Sequence, residues 1–142
     1  MSLSAVLAAA TLVTFWQAGG MKPASDPRQN AGRWLAQNAT PDQTLVAYEV
    51  GSAAYLSGLT TIDVLGLTDP RAIPHLEEED FGWAIGLEPD YVLVPEQSGW
   101  PVIEDIYAEP DFPEEYGVVA RFAFREGQDY LLYRRAPASD ER

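Results

Sequence analysis

The sequence predicts an α/β fold of three layers, with a mostly parallel sheet, helices on its faces and a carboxyl-terminal antiparallel hairpin. Three observations predict it. "TLVAYE" (44–49), "TTIDV" (60–64) and "DYVLVP" (90–95) are short apolar runs without clean alternation, the pattern of strands covered on both faces. Helical segments separate these runs, as in βα units. "YGVVARFAF" (116–124) then alternates, a turn glycine follows at Gly127, and "DYLLYRRA" returns, which is the order of a hairpin.

The elements follow in order. "SDPRQNAGRWLAQNATP" is a helix with Asp26 as its N-cap and Pro27 at its first position. Ala31, Trp34 and Leu35 make its apolar face, and Asn38, Thr40 and Pro41 stop it. After the first strand, Gly51 permits a tight turn and Ser52 is placed to cap a second helix. "DPRAI" starts a helical turn with Asp69 as its N-cap, and Pro74 limits its length. The acid clusters at Glu77–Asp80 and Glu104–Glu115 fall to connecting segments. In the last strands, Val118, Ala120, Phe122 and Phe124 share one side, and Val119, Arg121 and Ala123 the other. These readings place a single α/β domain over residues 28–136, after a linker at 21–27 and before a tail at 137–142.

Residues 1–20 differ from the rest, because "MSLSAVLAAATLVTFWQAGG" has no charged side chain. The apolar run from Leu3 to Trp16 is shorter than the about 20 residues of a full membrane span. Three readings stand: the end of a transmembrane helix, an atypical signal or anchor, and a buried helix of the domain. Phe15 and Trp16 favour the first, since aromatic residues collect at membrane interfaces.

Composition narrows the function classes. The chain of 142 residues has the length of one domain and is 46% hydrophobic, as folded proteins are. Nine basic residues against 22 acidic ones give a net charge of −13, which repels nucleic acid and anionic lipid headgroups. No cysteine is present, which removes disulfides and thiolate metal sites. The single His75 rules out a multi-histidine zinc site and is expected at the surface. No Gly-Lys-Ser/Thr phosphate loop and no Gly-x-Ser-x-Gly elbow occurs. No cofactor is implied.

Acids follow each apolar run: Glu49 after the first, Asp63 and Asp69 around the second, Glu96 after the third. In an open parallel sheet, ligands bind outside the carboxyl ends of the strands. Glu49, Asp63, Thr68, Asp69 and Glu96 are therefore the candidate ligand-binding rim, suited to sugar hydroxyls or a hard cation. Each also has a plain structural reading. Asp69 caps a helix, Asp63 bonds amides of its own turn, Glu49 is solvated, and Trp83, Trp100 and the tyrosines pack. A pair of rim acids could alternatively serve a small hydrolase.

Several short motifs then occur in a recognisable series: Arg33-Trp34-Leu35, Glu49-Val50-Gly51, Asp63-Val64-Leu65-Gly66-Leu67-Thr68-Asp69, and Pro89-Asp90-Tyr91 through Pro95. Over roughly residues 28–96 the chain resembles the carboxyl-terminal soluble domain of bacterial GT-C-type membrane glycosyltransferases, relatives of protein mannosyltransferases and arabinofuranosyltransferases. The resemblance implies an extracytoplasmic domain of an enzyme that uses a polyprenyl-phosphate sugar donor. The catalytic acids of that family lie in its membrane-embedded portion, so no catalytic residue is assigned to this chain. The implied partners are that membrane portion and a glycan or protein acceptor. The expected role is support of acceptor binding or of the membrane part. A free-standing extracytoplasmic sugar- or cation-binding module is the alternative.

Overall fold

The computed structural model describes residues 26–97, 99–124 and 128–137; the apolar segment 1–20 lies outside them. Asp26 and Pro27 open helix α1 (Pro27–Asn38) as their chemistry dictates: the Asp26 carboxylate accepts the Arg28 backbone N–H, and Pro27 needs no partner at N1. Strand β1 (Thr44–Ala47), helix α2 (Gly51–Ser57) and strand β2 (Thr60–Asp63) follow. Helix α3 (Ala72–Glu78) and a single 3₁₀ turn (Ile85–Leu87) lead to strand β3 (Tyr91–Pro95). Helices α4 (Pro101–Ala108) and α5 (Phe112–Glu115) precede strands β4 (Tyr116–Phe122) and β5 (Tyr130–Arg135).

The five strands form one mixed sheet in the order β2-β1-β3-β5-β4. β1 pairs parallel with both β2 and β3, and β5 pairs antiparallel with both β3 and β4. The expected parallel strands and the antiparallel carboxyl end are both present. The last strand, β5, sits inside the sheet and leaves β4 on the outside.

Alternate strand residues supply two apolar clusters. Val46, Ile62, Val92 and Val94 pack with Val102, Ile103 and Ile106 of α4 and Phe112 of α5. Leu45, Tyr91, Leu93 and Leu132 pack with Ala31 and Leu35 of α1 and Ala53 of α2. A sheet buried in this way explains why β1 and β3 read as continuous apolar runs.

Several local expectations are corrected. Ser52 does not cap α2, which starts at Gly51, two residues earlier than a Ser52 cap would set it, and has no side-chain cap. Asp69 is not the N-cap of α3; the helix starts at Ala72, and the Asp69 carboxylate instead accepts the Arg71 backbone N–H. Pro74 does not shorten α3, because it stands in the first turn, where the missing N–H has no intrahelical acceptor to lose. Glu77 and Glu78 are helical, and Glu104, Asp105, Glu114 and Glu115 lie on α4 and α5. A register break between Val118 and Ala120 changes the side that β4 presents. Tyr116 joins the α4 cluster, whereas Ala120 and Phe122 pack against the α1 cluster, so Val118 does not share a side with Ala120.

Gly32 sets the approach of α1 to α2. A methyl group there would lie 2.8 Å from Leu56 Cβ and 2.9 Å from the Ala53 carbonyl oxygen. Alanine favours helix by up to about 1 kcal/mol over glycine, but overpacking costs about 1–3 kcal/mol. Gly32→Ala is therefore expected to lower the urea midpoint at unchanged m-value; a midpoint at or above the parent's would mean that the two helices separate freely.

Candidate functional site

The rim acids do share one end of the sheet. Because β2, β1 and β3 are parallel neighbours, Asp63 at the end of β2, Glu49 after β1 and Glu96 after β3 all stand at the carboxyl edge. Each, however, is held by partners within the chain. Asp63 is fully buried and works as the keystone of the loop after β2. Its carboxylate accepts the Leu65 N–H at 3.0 Å, the Thr68 N–H at 2.7 Å and the Thr68 hydroxyl at 3.1 Å. Thr68 is thus Asp63's partner. Asp69 is buried and takes the Arg71 guanidinium at 2.7 Å. Glu96 forms a paired contact with Arg121 of β4. Among the described residues, no group of three or more His, Asp or Glu is placed to hold a metal ion.

The remaining rim acid, Glu49, belongs to a more elaborate arrangement. Its Oε2 accepts Arg28 Nη1 at 2.6 Å and the Tyr130 hydroxyl at 2.7 Å. Tyr130 has spent its one proton on Glu49, so the 3.0 Å contact between the Tyr130 and Tyr48 hydroxyls must be a donation from Tyr48. Arg28 also binds Asp26 and lies 5.9 Å over the Tyr130 ring. Burial, and then the hydrogen bonds to Tyr48 and Glu49, push the Tyr130 hydroxyl well above its ordinary pKa. Burial raises Tyr48 as well. Both stay neutral at any physiological pH.

This chain of groups stands at the topological switch point. From β1 the chain moves to β2 on one side, and β3 lies on the other. Open α/β sheets form a crevice there, outside the carboxyl ends. The crevice is present as a depression of about 120 Å³ lined by Tyr48, Pro95, Gln97, Trp100, Phe124, Gln128 and Tyr130. A larger groove of about 590 Å³ lies at the opposite end of the sheet, along the outer strand, among Glu88, Asp90, Val118, Val119, Arg134 and Arg135. Its position, away from the carboxyl ends, makes it the weaker candidate.

Sequence reasoning found Glu49 but missed Arg28, Tyr48, Tyr130 and the aromatic and amide lining. Tyr48 immediately precedes Glu49 in a quoted motif, and that was the available signal. Arg28 and Tyr130 lie 21 and 81 positions from Glu49, and only the strand order brings them together. Trp100 was expected to pack but is exposed. His75 lies on α3, stacks on Trp83 with ring centroids 4.8 Å apart and contacts Asp80 at 2.9 Å.

Two expectations follow. Asp63→Ala removes the acceptor of two backbone amides and one hydroxyl, and should cost about 2–4 kcal/mol of stability; a loss below about 0.5 kcal/mol in denaturant melts would show that water replaces the carboxylate. Arg28 and Arg71, through their hydrogen bonds, hold Asp26 and Asp69 below the usual carboxylate range. Their stabilisation is therefore complete above the unfolded value of about 3.9 and is lost as pH falls through the lowered folded values. Melting temperature should fall from pH 4 downward, less steeply in Arg71→Ala; parallel curves would remove Asp69 from the account.

No curated protein and no solved structure matches the chain. A family model described as "Domain of unknown function (DUF8728)" matches residues 16–133, most of the chain, which therefore belongs to that family.

Proposed function

We propose that this chain is a non-catalytic, extracytoplasmic accessory domain of a polyprenyl-phosphate-sugar-dependent membrane glycosyltransferase, and that it holds a glycan acceptor in the switch-point depression. One observation carries the reading: the depression is lined by aromatic rings and side-chain amides, while the nearby carboxylate Glu49 is engaged by Arg28 and Tyr130. Aromatic faces pack on the apolar side of a sugar ring, and amides and hydroxyls meet its rim. Tyr48, whose proton goes to Tyr130, keeps lone pairs to accept from a sugar hydroxyl. At about 120 Å³ the depression is smaller than the ~300–1,000 Å³ of typical ligand pockets and suits one ring of a longer glycan. The motif series from Arg33 to Pro95 and the uncharged start of the chain support the same reading.

The proposal extends to the architecture. We read the sheet as the middle of three layers, with its carboxyl-terminal strands joined as a hairpin; the two clusters on alternate strand residues support this.

A free-standing extracytoplasmic binding module is the second reading. It uses the same depression, and the lining favours its sugar form over its cation form. The carboxylates at the edge have arginine, tyrosine or backbone partners.

Titration of the full chain with neutral oligosaccharides, followed by NMR, tests the binding role. Shifts are expected at Tyr48, Gln97, Trp100 and Tyr130. Trp100→Ala should weaken binding about tenfold, the equivalent of ~1.4 kcal/mol, in protein whose melt shows that it is folded. Shifts confined to the groove at Glu88 and Arg134, or none across a broad glycan panel, would overturn it.

A further inference from the structure

We infer that the carboxyl edge of the sheet is a membrane-facing surface that rests on a zwitterionic lipid bilayer. The inference rests on the proposed membrane-enzyme role and on the reading of Leu3–Trp16 as the end of a transmembrane helix. The first argument is where the chain enters the domain. Helix α1 is fixed by the contacts of Asp26 and Arg28 with each other and of Arg28 with Glu49. Its amino end therefore sits at the carboxyl ends of β1 and β3, beside Tyr130. The apolar run ends at Trp16 and α1 starts at Pro27. Residues 17–25 span at most about 30 Å when fully extended, so the apolar segment is tethered to the domain at this edge.

The second argument is what the edge exposes. Leu67, in the loop after β2, is 78% exposed, and Ile73, in the first turn of α3, is 55% exposed. Ala72 beside it packs on Gly66 of the same loop. Trp100, after β3, is 61% exposed, and tryptophan is enriched at membrane–water interfaces. Three apolar side chains thus project from the edge where the chain enters.

The third argument is charge. The chain as a whole carries −13, yet Asp26, Glu49, Asp69, Glu96 and Asp129 at this edge are each within 4 Å of Arg28, Arg71 or Arg121. Five acids share three arginines, so pairing lowers the field that the edge presents without cancelling it, which suits a headgroup layer without net charge over an anionic one. The switch-point depression opens on the same edge, so a glycan bound there would lie close to the bilayer surface.

The natural absence of cysteine makes the test direct. Leu67→Cys and Ile73→Cys at the edge, and Val118→Cys at the opposite end, would each carry a nitroxide label. The full chain would be reconstituted in phosphatidylcholine vesicles and floated on a density gradient. For floated protein, labels at 67 and 73 are expected to shift toward relaxation by lipid-soluble oxygen and away from a water-soluble nickel chelate. The label at 118 should stay accessible to the chelate. Floated protein with all three labels equally open to the chelate overturns this inference and leaves the membrane reading standing. Protein that remains at the bottom of the gradient overturns both. The two edge positions are independent and already exposed, so misfolding of one variant, detected by its melt, leaves the other to decide.

Discussion

Arg28 is the residue on which the carboxyl edge depends. It is the second residue of α1, binds the capping carboxylate Asp26, reaches Glu49 beyond β1 and covers the ring of Tyr130 at the start of β5. One guanidinium therefore fixes a helix end, a strand end and an aromatic wall together. Only its planar fork of five donors can do so, since a lysine ammonium is a single point without fixed directions. The group is partly solvated, so its value lies less in Coulomb energy than in geometry. Without it, Glu49 and Tyr130 would lose the cation that they share.

That geometry was only half legible in the sequence. Local chemistry could be read locally: Asp26-Pro27 opened a helix, and the runs at 44, 60 and 91 were strands. The antiparallel end announced itself by its alternation. What failed was reading where a local signal has two meanings. Pro74 signals a stop in a helix interior but is harmless in a first turn. Glu104 and Asp105 looked like loop acids, yet Pro101, Val102, Ile103 and Ile106 had the spacing of a short buried helix. The alternation of β4 was real on each side of the break between Val118 and Ala120, but a one-residue slip flips every side chain after it.

The site shows the same division. Counting acids after strands placed Glu49, Asp63 and Glu96 at one edge of the sheet, but the partners that each acid has there could not be counted in the same way. Asp63, Asp69 and Glu96 are where the parallel sheet puts them, but a carboxylate near strand ends meets many backbone amides and arginines. Asp63 stands in for solvent at two amides in a buried loop. The position of these acids after strands suggested sugar or cation binding; in the structure these carboxylates also build the loops and ends that frame the crevice.

The consequence for function follows from supply and demand of polar groups. A ligand gains little from a carboxylate already satisfied by arginine and tyrosine, because binding would have to break one good contact to make another. The depression instead offers ring faces, amides and the acceptor lone pairs of Tyr48. In the proposed reading these groups meet a ring with hydroxyls at its rim. Because Tyr48 points its proton inward along the relay to Glu49, the polarity of that hydroxyl is set by the acceptor at the relay's end, the Glu49 carboxylate. An intrachain contact of that carboxylate thus leaves the Tyr48 oxygen free to accept.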